Sequence, residues 1–453
     1  MGNPLTSLLN TSNALRVYSQ ALNVTQNNVV NASTAGYAKQ TQALEAMPFD
    51  VSVGLPGGVA AGPTVSSRDG FAEQAVRDQQ TALGLYQQKT DDLTPLETYF
   101  SLSNSSGIGP SISGLFQKFS QLSVSPNDTV ARQSVLDQAN TVAESFRTTA
   151  QGLASQGGNL DDATRSTIDS INHLAGVIAG VNAHNRVDPS GAVDAGVDAQ
   201  LNSALEQLSQ LTNITALQQP DGTVSVYLGG QAPLVVGGHA YDVQGDFSGA
   251  RTALLSSTGA DITQSITGGK LSALLQDKND VLPSYMADLN TLAEGVTAQV
   301  NATLANGLDQ NGAAPSTDLF TFDATNGAAF TLAVNPLTPD QIAAALPGAP
   351  GGNGNALALA NLANTKTING YTFAQFYGDL GGRLGRDLAD AKDTQSTKEQ
   401  LLTQAQAMRE KASGVSLDEE AEHLVVFQRA YEATSKMLSV LNSLTETIMN
   451  VIS

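Results

Sequence analysis

Apolar residues recur along most of this chain at the spacing of one face of an α-helix. Leu8, Leu15, Leu22 and Val29 repeat every seven residues, flanked by Ala14 and Ala21. A repeat that strict gives one narrow seam, the pattern of a helix docked on another helix. It stops at Asn31-Ala32-Ser33-Thr34-Ala35-Gly36, a polar run with a glycine placed to end a helix. The Pro/Gly-rich stretch from Pro48 to Pro63 then reads as a linker. Beyond it Phe71, Ala75, Ala82, Leu85, Leu93, Leu96 and Phe100 line a second helix. Asn127 or Asp128 can cap a third, which carries Val135, Ala139, Val142, Phe146 and Leu153. A fourth runs through Ile168, Ile171, Ala175, Ile178 and Val181. These stripes are wide enough for the core of a bundle.

The middle of the chain changes period. Thr223 to Leu228 alternates with period two after the turn Pro220-Asp221-Gly222, which predicts a strand. Pro233 to Val236 predicts its neighbour, and Phe330 to Val334 a third strand. Helix returns from Leu271 to Leu304 and from Phe373 to about Ala412, and Gly348 to Gly354 reads as a flexible loop.

The C-terminal segment carries the sharpest pattern. Ser416-Leu417-Asp418-Glu419 fits a capping box. Leu424, Tyr431, Leu438, Thr445 and Ile452 then fall every seven residues, with Phe427, Thr434, Leu441 and Ile448 three residues behind. The first 44 residues carry two bases, Arg16 and Lys39, and no acid. Residues 417–453 carry six acids and two bases. Opposite signs favour pairing of the two arms, modestly, since exposed charge pairs contribute only ~0–1 kcal/mol each. An arm buried on a single face offsets little of its ordering entropy, so neighbouring molecules are expected to cover the rest. The expected assembly interface is Leu8, Leu15, Leu22 and Val29 on one arm. On the other it is Leu424, Phe427, Tyr431, Leu438, Leu441, Ile448 and Ile452. Periodicity alone fits equally well with bundle helices packed inside one monomer.

The expected fold is mainly α: an elongated multi-domain protein with paired N- and C-terminal helices, a long-helix bundle and a small inserted β-rich domain. Residues 1–66 with 404–453 would form the terminal axial helices and linker. Residues 67–212, 262–318 and 371–403 would form the bundle, and 213–261 with 319–370 the outer β-rich domain.

Composition narrows the chemistry. The net charge is -20, from 22 basic and 42 acidic residues. Such a surface repels phosphate backbones, so no nucleic acid and no anionic membrane is expected as a partner. Cysteine is absent, which removes disulfides, thiol nucleophiles and cysteine metal sites together. Met1-Gly2-Asn3-Pro4-Leu5 has no basic n-region and no apolar core of a secretory signal. No serine-nucleophile elbow, zinc-binding helix or phosphate loop is present. Gly268-Gly269-Lys270 reads as a helix start. His173 and His184 share one helix face without a completing ligand set. Asp309-Gln310-Asn311-Gly312 lacks the closing Glu of a calcium loop and reads as a turn. No catalytic residue, cofactor or metal is expected.

Asn27-Asn28-Val29-Val30-Asn31-Ala32-Ser33-Thr34-Ala35-Gly36-Tyr37 resembles the N-terminal signature of the flagellar axial family of rod, hook and hook-associated proteins. Ala35 stands where many members have proline. Gly414 to Glu420, followed by Phe427-Gln428-Arg429-Ala430-Tyr431, resembles the branch found at the hook–filament junction. The interior is similar to that branch at Phe116 to Phe146, Gly222 to Gln231 and Gly268 to Pro283. Many members insert a large β domain after the pair matching Leu319-Phe320. Only about fifty residues separate that pair from Tyr371 here, so the outer domain should be small.

The resemblance implies a structural junction protein and no enzyme, assembled as a ring of its own subunits. It implies the hook protein and the second junction protein as partners, and a cytosolic export chaperone at the C-terminal region. It also implies an extracellular place on the flagellum, reached by type III export without a cleaved signal. The alternatives are another axial protein (the hook protein or the second junction protein) and, from a different class, a secreted adhesin or hydrolase with a helical stalk.

Overall fold

The computed structural model describes residues 4–50, 55–100, 107–185 and 194–452. The first seam becomes helix α1 (Pro4–Asn31), and Gly36 takes a φ of +73° in the turn after it. The stretch read as a linker folds instead as a β-ribbon. Strand β1 (Gln40–Ala46) pairs antiparallel with β4 (Val59–Ser66), and β2 (Phe49–Asp50) with β3 (Leu55–Pro56) between them. Gly57 and Gly58, at φ +68° and +129°, make the reversal that a residue with a Cβ would resist. The ribbon lies along α1, with Asn10 Nδ2 donating to the Gly57 carbonyl at 2.6 Å. Its glycines and prolines, read as breakers, are turn and edge residues.

Helix α2 (Gly70–Leu93) is capped by Asp69, whose carboxylate accepts from the amides of Phe71 and Ala72. Phe71 itself, expected on the apolar stripe, is 92% exposed. The helix ends in a 3-10 turn at Thr94–Thr98, where Pro95 cannot extend the α hydrogen-bond ladder. Helix α3 (Ile108–Val124) follows. The next two predicted helices are one, α4 (Thr129–Asn185), roughly 85 Å long at 1.5 Å per residue. Asp128 caps it, accepting from Val130 at 2.7 Å. Gly157 and Gly158 do not break it. Two glycines weaken a helix by about 1 kcal/mol each relative to alanine, and buried Leu153 and Leu160 carry the stripe across them.

Helix α5 (Ala195–Leu211) leads into a four-stranded antiparallel meander: β5 (Ile214–Gln218), β6 (Val224–Leu228), β7 (Ala232–Val236) and β8 (His239–Ala240). A hairpin of β9 (Gln244–Asp246) and β10 (Ala253–Leu255) follows. Helix α6 (Gly269–Gln276) runs through a π turn at Asp277–Val281 into α7 (Leu282–Ala305). Next, β11 (Phe320–Thr321) pairs with β12 (Ala333–Val334). The strand expected over Phe330–Val334 is reduced to its last two residues. Gly327, at φ +91°, starts the helical turn α8 (Ala328–Thr331) that takes Phe330 and Thr331. Helices α9 (Gly354–Asn361), α10 (Phe373–Ser413) and α11 (Leu417–Ile452) complete the chain.

Two cores stack along α4. The first gathers α3, the N-terminal half of α4, α7, the segment from Leu319 to Leu362 and the start of α10, where Phe116 stacks on Phe373 at 5.6 Å. The second gathers the C-terminal half of α4, α5, the meander and α6. A small patch of Val76, Leu83, Leu402 and Ala405 joins α2 to α10. The two β segments grouped from sequence as one outer domain thus pack on different cores. The mainly α, elongated architecture with paired terminal helices is as expected.

One device fastens the non-helical segments to this shaft. Five asparagines each grip both the N–H and the C=O of a single residue, as a neighbouring strand would. Asn28 holds Gln40 in this way, with bonds of 2.8 and 2.9 Å. Asn172 holds Val243 and Asn182 holds Val224. Asn279 holds Thr252 and Asn301 holds Phe320. Each clasp satisfies a backbone N–H and C=O that point away from any neighbouring strand.

Candidate assembly interface

Helices α1 and α11 lie side by side and antiparallel, the end of α1 beside the start of α11. Their joint is polar and buried. Asn28, 1% exposed, uses its Oδ1 to accept from the Gln40 amide at 2.9 Å and from Tyr37 Oη at 2.8 Å. Its Nδ2 donates to the Gln40 carbonyl and, at 3.0 Å, to Glu420 Oε2. Burial, with the nearby Glu420 charge, pushes the Tyr37 hydroxyl up to about 12, so it stays a donor at neutral pH. Lys39 Nζ bridges Glu419 at 2.7 Å and Glu420 at 3.4 Å. Its hydrogen bond to Glu419 raises the Lys39 pKa against the opposing effect of burial. The Ser416 hydroxyl accepts from the Glu419 amide at 3.4 Å, but the Glu419 carboxylate turns to Lys39 instead of closing the capping box.

A second set of bonds fixes this joint to the bundle. Arg68 donates to the Gly36 carbonyl at 2.6 Å and to Asp198 of α5 at 2.7 Å, and pairs with Glu73 of α2. Arg409 of α10 donates to Glu206 of α5 at 2.7 Å and pairs with Glu73 at 3.4 Å. Lys39 and Asp69 donate their amides to the Ser413 carbonyl and hydroxyl. Gly36 sits where a Cβ would come within 2.4 Å of the Ala199 carbonyl oxygen. The Asn-rich signature and the Ser416–Glu420 segment, far apart in sequence, therefore build one corner, buried at Asn28, Gln40, Ser413 and Glu420.

The structure brings the predicted seam residues together within the chain. Leu8, Leu15, Leu22 and Val29 are half-buried on α1, and Leu424, Phe427, Leu438 and Leu441 on α11. Tyr431 and Ile448 are more open, at 40% and 44%. Ile452 ends the helix, and its side chain lies outside the described residues. Among the described residues helix α11 packs chiefly along α1, which half-covers this seam.

A second stripe escaped the sequence reading. The 100° step of a helix puts Val426, Ala433, Met437, Val440 and Leu444 in one row about a third of a turn from the seam. Val426, Met437, Val440 and Leu444 are 52–59% exposed. The signal was there in the three- and four-residue spacing, hidden behind the stronger seven-residue repeat. The open face of α1 is more polar: Ser12, Asn13, Gln20, Asn23 and Gln26 are exposed with Arg16, and Leu9 and Val30 lie open among them.

The minor candidates are placed as turns and helix positions. Gly269 opens α6 with φ +78°. Asp309 Oδ1 accepts from the amides of Asn311 and Ala313 at 2.8 Å each, a self-satisfied turn. His173 and His184 both lie on α4. Among the described residues no group of three metal-binding side chains assembles, and no helix is long and apolar enough to cross a membrane.

Comparison with known proteins agrees with this arrangement. The family model for the helical domain of the flagellar hook-associated protein FlgK matches residues 93–320. The model for the C-terminal part of flagellar basal body rod FlgEFG proteins matches residues 406–451. Flagellar hook-associated protein 1 of Bacillus subtilis is 28% identical, over 96% of each chain. Its counterpart in Escherichia coli is 23% identical over 99% of this chain and 100% of its own. The solved structure of the flagellar hook junction protein FlgK from Burkholderia pseudomallei superposes with a TM-score of 0.68 at 17% identity. It covers 76% of this chain and 100% of that one.

Proposed function

The chain belongs to the family of the flagellar hook-associated protein FlgK, structural proteins of the hook–filament junction, and we propose that it joins its neighbours there through the outer face of its terminal helix pair. The observation that carries this reading is the open stripe of Val426, Met437, Val440 and Leu444. Four large apolar side chains in one row, each about half in water, form a surface that a soluble monomer gains nothing by keeping wet. A ring of copies would cover it, each α11 receiving a neighbouring arm on its second stripe while α1 holds the first. The hook protein below and the second junction protein above would meet the same helices end-on. The acidic, cysteine-free chain suits export through the flagellar channel and folding outside without a disulfide step. The C-terminal helix, with two apolar rows, suits capture by a cytosolic chaperone before export. The role is mechanical, with no catalytic step and no bound metal.

The test is Val440→Asp in cells lacking the native chain. The carboxylate would stay hydrated in the monomer but lose its water in the ring, where an unpaired buried charge costs several kcal/mol. The purified variant should melt like the wild type, while motility is lost and filament subunits escape to the medium. Normal motility would overturn the assignment of this stripe to assembly.

A further inference from the structure

The two cores meet at a pair of buried carboxyls that the mechanical role leaves unexplained. Asp92, in the last turn of α2, is 6% exposed. Asp277, the first residue of the π turn between α6 and α7, is 2% exposed. Leu93, beside Asp92, belongs to the first core, and Leu275, two residues before Asp277, to the second. Helices α2 and α6 pack together, and the two carboxyls are near enough to repel each other. Gln88 Nε2 donates to Asp92 Oδ1 at 2.6 Å, and Gln156 of α4 donates to the Asp92 carbonyl. Among the described residues neither Asp92 Oδ2 nor Asp277 Oδ2 has a donor. A proton shared between two such neighbouring acceptors would satisfy both.

The charges around the pair do not replace that proton. Lys89 and Asp91 face it from α2, and Lys270 from α6. From α4 comes the neutral amide of Gln156. Lys278 of the π turn is engaged with Asp161 of α4 at 2.7 Å. The π turn adds a weak point in the backbone, because its extra residue loosens the regular ladder where α6 passes into α7.

We infer that Asp92 and Asp277 are a proton-held latch between the two cores, closed when the pair retains a proton and released when both carboxylates ionise. Burial, foremost, raises both groups, Asp92 to about 6 and Asp277 to about 8, with mutual repulsion adding to the second. Both folded values lie above the unfolded carboxylate range near 4, so the folded chain holds protons that the unfolded chain has released. The latch is therefore strongest in mild acid. It weakens as pH climbs, and above about 8 the doubly charged pair pushes α2 and the π turn apart.

The experiment uses the full chain and amide hydrogen exchange, corrected for its intrinsic pH dependence, between pH 5.5 and 9. Local opening of residues 88–96 and 273–285 should rise on the order of tenfold per pH unit between 6 and 8, relative to amides around Asn301 in the first core. Asp277→Asn, whose amide can donate to Asp92 at every pH, should flatten that rise, as should Asp92→Asn. Carboxyl-carbon titration of the unsubstituted protein gives a readout that needs no variant. Two coupled titrations above pH 5 support the latch. Both groups titrating below pH 5, a uniform rise across the protein, or a rise that survives both substitutions would each overturn it.

Discussion

Replacing Asn28 by Ala tests whether the polar corner, more than the apolar seam, holds the terminal helices to the body. The substitution removes three neutral hydrogen bonds, from the Gln40 amide, to the Gln40 carbonyl and from Tyr37 Oη, and one to the Glu420 carboxylate. Neutral bonds contribute ~0.5–1.5 kcal/mol each and a bond to a charged group ~1.5–3, giving roughly 3–7 kcal/mol for the corner. The two large cores do not include these residues, so the loss should appear as local opening while global melting changes little. Amide hydrogen exchange on the monomer reads this directly. Exchange along α1 and the first turns of α11 should quicken by at least about 100-fold, the equivalent of about 3 kcal/mol. Asn28→Asp separates chemistry from volume. It keeps the size, loses both Nδ2 bonds and sets a second carboxylate beside Glu420, so it should be at least as harmful as alanine. Exchange in α1 within about twofold of wild type, for both variants, would refute the reasoning.

Leu438→Asp should differ from Val440→Asp by loosening the monomer itself, because Leu438 is half-buried against α1. Proteolysis of the C-terminal helix at equal protein concentration compares them, and equal resistance would contradict the two-stripe assignment. Gly36→Ala places a Cβ 2.4 Å from the Ala199 carbonyl oxygen at φ +73°. It should lower stability at the corner by about 1–3 kcal/mol, seen as earlier loss of helical signal in urea. Arg132, 2% exposed, donates to the carbonyls of Pro126 and Ile342 at 2.7 and 2.6 Å, with no carboxylate in its hydrogen-bond set. Arg132→Met should cost about 2–4 kcal/mol by stranding those oxygens, and an unshifted urea midpoint would show they are satisfied some other way. Treatment with a chelator should leave the melting temperature unchanged, and a drop of several degrees would point to a metal held at His173, His184 or Asp309.

Periodicity made the helices legible because a buried helix face writes its own repeat. The stripe from Val135 to Leu153 and the seam from Leu424 to Leu441 are where the spacing put them. What stayed hidden was structure made by residues with no repeat. The ribbon over Gln40–Ser66 lies open on much of its surface, so its strands carry little alternation, and its glycines and prolines read as breakers. The continuity of α4 across Gly157 and Gly158 depends on packing from both sides, which local propensity does not encode. The corner was half visible. The Asn27–Tyr37 signature marked it, but nothing in the spacing said that Asn28 reaches Glu420 almost four hundred positions away. The capping-box reading at Ser416 failed for a related reason: Glu419 had a better partner in Lys39 than its own helix end. Arg68 and Arg409 were ordinary surface cations until the fold brought Glu73 between them.

The asparagine clasps bear on how such a shaft can change shape over evolutionary time. A strand held by a sheet must keep its register with every neighbour, so lengthening it disturbs the whole sheet. A clasp pins a segment at a single residue, and exposed turns beyond it can lengthen without disturbing a register. Asn301 pins Phe320 where the chain leaves α7 for its outward excursion. The excursion returns to the shaft at α10, whose first turn is closed by Thr372 and Gln375. Between those two points the closure entropy rises by only about 0.6 kcal/mol for each doubling of length. The exposed turns of this excursion can thus be enlarged, trimmed or exchanged while the helices of the shaft stay as they are.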